Sequence, residues 1–335
     1  MKLLIDHHLP FLLAHGGLQI QIEQTRRALI SSGVECEYLR WWDKSQSGDV
    51  IHFFGKMPTH LLHFAQSKGL KVVISDLLAQ QGTRSPGRLK LQKFLIRSLK
   101  ATIPGVIRPY NWDSYRLADA CIALTSWEAF LFQDIFAVPA EKLHVIPNGV
   151  EEVFLQSRPV PRGQWLVCTS TIAPHKRVLE LAQAAVQAQT PLWVIGQAYA
   201  DADEYAQKFF QLAKKESNLL RYEGPVEDRA QLAGIYREAR GFALLSAFES
   251  LSLSALEAAA CECPLLLGDL PWAKTVFQQT ASYCPITPST AQTAQILRRF
   301  YEAAPGLKPP TKPLTWIEVA QQLKNIYERL PKTSR

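Results

Sequence analysis

The chain has 335 residues, 47% of them hydrophobic and 20% charged, with a formal net charge of +7. That length accommodates two ordinary domains, and the composition is that of a globular protein, which excludes a disordered chain. No apolar run approaches the roughly 18 residues of a spanning helix, and the six scattered cysteines form no C-x-x-C pair, so a membrane-spanning chain and a disulfide scaffold are not expected and a reducing cytosol is.

Residues 2–5 read as a first strand, and Asp6, two histidines and Pro10 then interrupt the hydrophobic stretch, which argues against a signal peptide. His15-Gly16-Gly17 closes the following loop. Leu18, Ile20, Ile22, Thr25, Ala28, Leu29 and Ser32 lie on one face of a predicted helix that stops at Gly33, and Val34 to Leu39 is the next strand. A strand, a glycine-containing loop, a helix and a strand make a Rossmann-like opening, although a glycine pair alone also marks an ordinary turn. Val50–Phe54 and Lys71–Ser75 are further strands, with a helix near 59–66 between them. From Arg84 to Arg108 there are seven basic residues and no acidic one, which equals the net charge of the whole chain. Lys90, Lys93, Arg97 and Lys100 follow a 3, 4, 3 spacing along one helical face, while Leu91, Phe94, Leu95 and Leu99 lie largely off it. Such a stripe fits either a solvated face beside a packed one or a face laid on an anionic membrane. No nucleic-acid motif accompanies it. Residues 118–125, a helix over 127–136 and a strand over 143–150 complete the first half.

Pro159 to Gly163 looks like a linker, after which the pattern restarts. Predicted strands at 165–168, 191–196 and 219–224 alternate with helices ending near Gln187 and spanning 204–215. Phe242 to Leu245 feeds a turn carrying Glu249. A predicted helix then runs from about Leu251 to Cys261, and Leu265 to Leu267 follows as a strand. The tail, residues 315–330, is one amphipathic helix with Trp316, Val319, Leu323, Ile326 and Tyr327 on its apolar stripe. Strands alternating with helices at this spacing predict an α/β architecture of parallel sheets covered on both faces.

Several residues carry chemistry that this pattern places at strand ends. Glu249, at the start of a helix, is a cap or a ligand-facing group. The unpaired first-turn amides from Ser250 to Leu253 suit a diphosphate. Glu257, inside an otherwise apolar helix, is either at a solvated edge or a bidentate acceptor for vicinal hydroxyls. Lys176 opens a helix after the Pro-His-Lys-Arg turn, where its charge suits an anionic ligand group, with a solvated surface lysine as the alternative. Asp201-Ala-Asp203 has the form of a metal clamp but directly precedes a helix, where acids are favoured electrostatically; no metal is expected.

Glu249 and Glu257, with the segment between them, resemble the E-x7-E signature of retaining glycosyltransferases of family 4. That resemblance implies the GT-B architecture: two Rossmann-like doubly wound parallel-sheet domains facing a cleft, here 1–158 and 159–312, with 313–335 a helix crossing back to the first. It implies that Glu249 lies beside the donor sugar, that Glu257 binds the nucleotide ribose, and that Leu251, Ser252 and Leu253 hold phosphate. Gly16 and Gly17 would face the donor phosphates, Lys176 would bind them, and backbone near Val226 would contact the base. The chain departs from the pattern in three places: Ser252 stands where glycine is common, Thr171 or Ser170 where an arginine is usual, and Asp76 near the place of a histidine. Arg177 or His175 is the candidate substitute for the arginine, Asp76 for the histidine, and His15 and His52 are further histidine candidates that also read as structural. The function implied is transfer of a hexose from a nucleotide diphosphosugar to a sugar or lipid-linked acceptor. It would serve cell-surface polysaccharide or glycolipid synthesis, without cofactor, metal or nucleic acid, at the cytoplasmic side of a membrane. The alternative is a degenerate sugar-nucleotide-binding scaffold.

Overall fold

Runs such as Gly241–Leu244 and Leu265–Gly268 are apolar throughout, and Val50–Phe54 apolar but for His52, because their strands are covered on both faces, so each residue in them is buried. In the computed structural model, which describes residues 1–8, 11, 16–103, 108–156, 160–200, 202–286 and 289–331, two units form around such strands. One unit is Met1–Gly149 with Leu314–Arg335, the other Val150–Pro313. His15, Asp201 and Pro159 lie outside the described residues.

The first unit holds six parallel strands: β1 (Lys2–His7), β2 (Glu35–Tyr38), β3 (Val50–Phe54), β4 (Lys71–Ser75), β5 (Ala120–Ala123) and β6 (Leu143–Val145). Their order is β2-β1-β3-β4-β5-β6, with Leu3 opposite Val50 and Val50 opposite Lys71. Ile51, Phe53, Val72, Ile74 and Leu131 form part of its core. The helix Trp316–Arg329, begun by a capping box between Thr315 and Glu318, packs on the helix Gly17–Ser31 and buries Trp316, Val319, Leu323 and Tyr327. Gly149 is obligatory at this return of the chain, since a Cβ there would stand 2.6 Å from the backbone nitrogen of Trp316.

The second unit holds β7 (Leu166–Thr169), β8 (Leu192–Ile195), β9 (Leu220–Tyr222), β10 (Gly241–Leu244), β11 (Leu265–Gly268) and β12 (Ser282–Cys284), all parallel, in the order β12-β11-β10-β7-β8-β9. Each sheet therefore reverses its winding once, between β1 and β3 in the first unit and between β7 and β10 in the second. Strand carboxyl ends at such reversals splay their loops apart and leave a crevice for ligands.

Four expectations change. The units divide after Gly149, not after residue 158. Phe154, on the short helix Glu152–Leu155, is fully buried in the second unit, and the Arg162 guanidinium is fixed there to the carbonyls of Arg237 (2.8 Å) and Glu262 (2.7 Å). The described part of the expected linker, residues 160–163, is thus an anchored segment. Strand β12 and the helices Pro271–Phe277 and Thr290–Ala303 had no clear signal, because Ser282-Tyr-Cys284 is too short to show a period. The Glu249-bearing loop is also longer than expected, and its helix starts at Leu253.

The basic segment changes most. In the helix Pro86–Thr102, Leu89 and Ile96 are buried, while Leu91 (57% exposed), Phe94 (65%) and Leu95 (46%) face solvent. Lys93 is ion-paired to Asp134, and Lys100 to Asp113. Two lysines of the predicted outer stripe therefore turn to carboxylates on neighbouring helices, and part of the face expected to pack is the exposed one. Among the described residues no helix is long and apolar enough to cross a membrane.

Candidate functional site

In the second unit, the loops leaving β7 and β10 meet at the point where the strand order reverses. The β7 loop ends in a single turn, Pro174–Lys176, closed by Arg177 in the left-handed region (φ 55°), from which the helix Val178–Gln187 starts. The β10 loop is joined to it by the Ala247 N–H, which donates to the His175 carbonyl at 2.7 Å, and by stacking of the His175 and Phe248 rings at 5.0 Å. This clasp brings Lys176 and Glu249, 73 residues apart in sequence, into an ion pair. Ser246 Oγ donates to the same Glu249 oxygen at 2.9 Å. Lys176 and Glu249 retain 21% and 12% side-chain exposure, so the pair is half-sheltered and reachable. Burial lowers the pKa of His175, and the Lys176 charge beside it acts in the same direction.

Directly after Glu249, the Ser250 hydroxyl is buried with no hydrogen-bond partner among the described residues. Buried polar atoms are seldom left so, and a free hydroxyl beside the pair is a ready contact for a polar ligand. Ser252 is the N-cap of the helix Leu253–Ala260, its Oγ accepting from the Ala255 N–H at 3.3 Å. Its φ of −70° makes no demand for glycine, and its side chain turns onto the helix start. The amides of Leu253 and Ser254 remain first-turn donors without an intrahelical acceptor. Leu251 is buried beneath this turn. The loop after β7 is held close to the sheet by Gly196, where a Cβ would lie 2.0 Å from the Ser170 carbonyl oxygen, and no cation stands at Ser170 or Thr171.

Glu257, one turn further along, is buried and meets a group that sequence reasoning did not single out. Arg229 Nη2 pairs with Glu257 Oε1, while Arg229 Nε pairs with Glu151 at 2.7 Å and the guanidinium lies 4.7 Å from the Phe154 ring centroid. The Tyr236 hydroxyl is 3.4 Å from the other Glu257 oxygen. Burial raises the Glu257 carboxyl above its ordinary range, and the Arg229 charge opposes the rise. Neither a solvated edge nor a free bidentate acceptor describes this carboxylate: it is the centre of a buried charge network. The one legible signal for Arg229 was its place next to Asp228, which caps the helix Arg229–Glu238. Val226 is half-buried on the loop after β9, past Gly224 (φ 84°). Asp203 caps the helix Glu204–Lys215 by accepting from the Ala206 N–H at 3.0 Å.

In the first unit, Gly16 (φ 148°) is the N-cap and Gly17 the first residue of their helix, so this helix start carries no capping side chain. Asp76 follows β4. Its Oδ1 accepts the Leu77 N–H at 2.9 Å and its Oδ2 accepts the hydroxyl of fully buried Tyr115. Burial raises the Asp76 carboxyl, and the Tyr115 hydrogen bond, the Leu77 amide and the charges of His8 and Lys56 pull it back. His8 and Lys56, just beyond β1 and β3, are thus neighbours of Asp76 that the sequence did not reveal as such. His52 is structural: Nδ1 bonds Tyr327 and Nε2 bonds Ser75, each at 2.7 Å, and burial drops its pKa to about 3.

Known proteins resemble this chain in sequence and in fold. Residues 163–302 match the family described as glycosyl transferases group 1. Over 250 residues the chain is 26% identical to a GDP-mannose:cellobiosyl-diphosphopolyprenol alpha-mannosyltransferase of Komagataeibacter xylinus, covering 70% of this chain and 62% of that relative's length. Among solved structures, HepE of Anabaena in complex with UDP aligns at 15% identity and a TM-score of 0.66, covering 98% of this chain and all of that one. Sucrose-phosphate synthase from Thermosynechococcus elongatus aligns at 16% identity and a TM-score of 0.69, covering 98% and 99%.

Proposed function

Starting from a chain that has the GT-B fold and resembles glycosyltransferases of family 4, we propose that this protein is a retaining hexosyltransferase. It takes its sugar from a nucleotide diphosphosugar and passes it to a carbohydrate or lipid-linked acceptor in polysaccharide or glycolipid synthesis. The observation that carries the reading is the junction of Lys176, Glu249 and Ser246 at the winding reversal of the second sheet, with the free amides of Leu253 and Ser254 beside it. Departure of a nucleoside diphosphate needs its growing charge neutralised, and a lysine together with a helix N-terminus does so in place of a metal. Lys176 is shared between Glu249 and the diphosphate. Glu249, held by Ser246, is positioned for hydroxyls of the donor sugar, and Ser250 Oγ supplies a further donor. Arg177, free of ion pairs among the described residues, is the candidate for the second phosphate cation. Glu257 meets the ribose through the oxygen that Arg229 leaves free. The Val226 backbone is the candidate contact for the base, and Asp76, in the first unit, is the candidate to position the acceptor. The named mannosyltransferase and the UDP complex differ in nucleotide, so the base stays a matter for experiment.

The helix Pro86–Thr102 is the membrane-facing element of this reading. Leu91, Phe94 and Leu95 insert among lipids while Lys90 and Arg97, which make no ion pairs among the described residues, meet anionic headgroups. Lys93 and Lys100 hold the helix to its unit through their carboxylate partners. The protein then works from the cytoplasmic side as a peripheral enzyme.

The test is thermal-shift screening against UDP-, GDP- and ADP-sugars, with Lys176→Gln alongside. A ligand at about one hundred times its Kd stabilises the folded state by about 2.7 kcal/mol, enough for a clear rise in melting temperature. One nucleotide should give that rise and the variant should lose it. No rise with any donor would refute the nucleotide-sugar reading, and a rise without turnover on any acceptor would favour the sugar-nucleotide-binding scaffold.

A further inference from the structure

A second concavity lies within the first unit, away from Asp76. It measures about 640 Å³, within the size range of small-molecule sites, and is walled by the helices Thr59–Ser67, Pro86–Thr102, Asp113–Leu117 and Ser126–Phe136. Its floor is apolar, made by Ile96, Leu117, Ile135 and Phe136. Its rim is cationic. Arg97, Lys100 and Arg116 line it together with the imidazoles of His60 and His63, against the single carboxylate of Asp113. Asp113 is shared by Lys100 and Arg116, the latter at 3.7 Å, and Arg97 has no ion-pair partner among the described residues. Trp112, stacked on Tyr110 at 4.8 Å and 14°, adds a flat aromatic wall.

We propose that this concavity is a binding site for an organic phosphate or diphosphate, whose anionic group meets Arg97, Lys100 and Arg116 and whose carbon portion lies on the floor beside Trp112. Three cations around one carboxylate leave an unbalanced positive rim, and guanidinium groups match phosphate oxygens in forked, charge-assisted geometry. The apolar floor under such a rim adds surface for the carbon portion to cover, beyond the rim contacts that an inorganic diphosphate already makes. The exposed ridge of Leu91, Phe94 and Leu95 belongs to the same helix as Arg97 and Lys100, so a lipid headgroup and a water-soluble phosphate ester are both sources of that chemistry. The site does not depend on the donor site proposed above.

The probe is inorganic pyrophosphate followed by titration calorimetry. Because a donor site would bind it too, the titration is done in the Lys176→Gln protein as well as the unaltered one. Saturable binding should persist in Lys176→Gln, fall roughly tenfold or more in Lys176→Gln carrying Arg97→Gln and Arg116→Gln, and change by less than about twofold with Lys90→Gln, which removes one charge from the same helix outside the concavity. Circular dichroism melting checks that the combined variant remains folded, and Arg97→Lys with Arg116→Lys provides a milder replacement if it does not. Absence of saturable binding in Lys176→Gln, or an equal loss with Lys90→Gln, overturns the proposal. Flotation with phosphatidylglycerol-containing vesicles separates the sources. Release of vesicle-bound protein by pyrophosphate assigns the site to a lipid headgroup, and pyrophosphate binding that leaves flotation unchanged assigns it to a soluble phosphate ester.

Discussion

Replacing Arg229 with methionine tests the buried charge network around Glu257 most directly. Methionine keeps an apolar chain in place of the arginine stem and removes the guanidinium that lies over Phe154 and faces two carboxylates. Removing one partner of a fully buried pair costs about 3–5 kcal/mol. Glu257 has 7% side-chain exposure but Arg229 has 31%, so solvent already screens part of the pair and about 2–3 kcal/mol is the better figure here. At about 2–4 °C per kcal/mol for a unit of this size, the melting temperature near neutral pH should fall by roughly 4–12 °C. The loss should depend on pH with a definite sign. Burial places the folded-state pKa of Glu257 above its unfolded value, and loss of the arginine raises it further. The folded state then binds the proton more tightly, so its contribution is fully present below the unfolded pKa and is lost as pH rises through the folded pKa. Circular dichroism melts at about pH 5 and about pH 8 should therefore show a smaller deficit on the acidic side. Adding Glu257→Gln to Arg229→Met should recover much of the loss at the higher pH, since no buried charge remains. Equal deficits at both pH values, or no recovery in the double variant, would refute a charge network as the role of Arg229.

Glu249→Gln should lower turnover by about 10²–10³-fold, far more than the loss of about 1–3 kcal/mol from its largely sheltered ion pair with Lys176 would do to folding; steady-state kinetics beside a melt separates the two effects. Tyr115→Phe removes the hydroxyl that holds the Asp76 carboxyl down, so the acidic limb of a pH–rate profile should move to higher pH, and an unmoved limb would take Asp76 out of the reaction. Gly149→Ala places a Cβ 2.6 Å from the Trp316 nitrogen, and thermal melting should register a loss of about 1–3 kcal/mol or more. Leu91→Ser with Phe94→Ser should weaken binding to anionic vesicles without destabilising the fold, since both side chains are already exposed; undiminished sedimentation would count against insertion of that ridge.

The alternation of apolar runs with helices was enough to indicate two parallel α/β sheets, because a strand covered on both faces must be hydrophobic throughout. Val50–Phe54, Lys71–Ser75 and the helix Glu204–Lys215 have the limits their residues predict. The positions of Glu249 and Lys176 at strand ends were also legible, but the helix after Glu249 starts about two residues later than expected, at Leu253 behind the Ser252 cap. The partners of these groups were not legible. Arg229 meets Glu257 from 28 residues away and Lys176 meets Glu249 from 73, through strand order that no local pattern encodes. The same holds for the basic helix: spacing put Lys93 and Lys100 on one stripe, but which carboxylates they meet, Asp134 and Asp113, was decided by the helices packed alongside. Sequence periodicity fixes which residues share a face, because it follows from backbone geometry within one element. Only tertiary structure decides what that face meets, because desolvation and pairing depend on elements brought alongside from elsewhere in the chain.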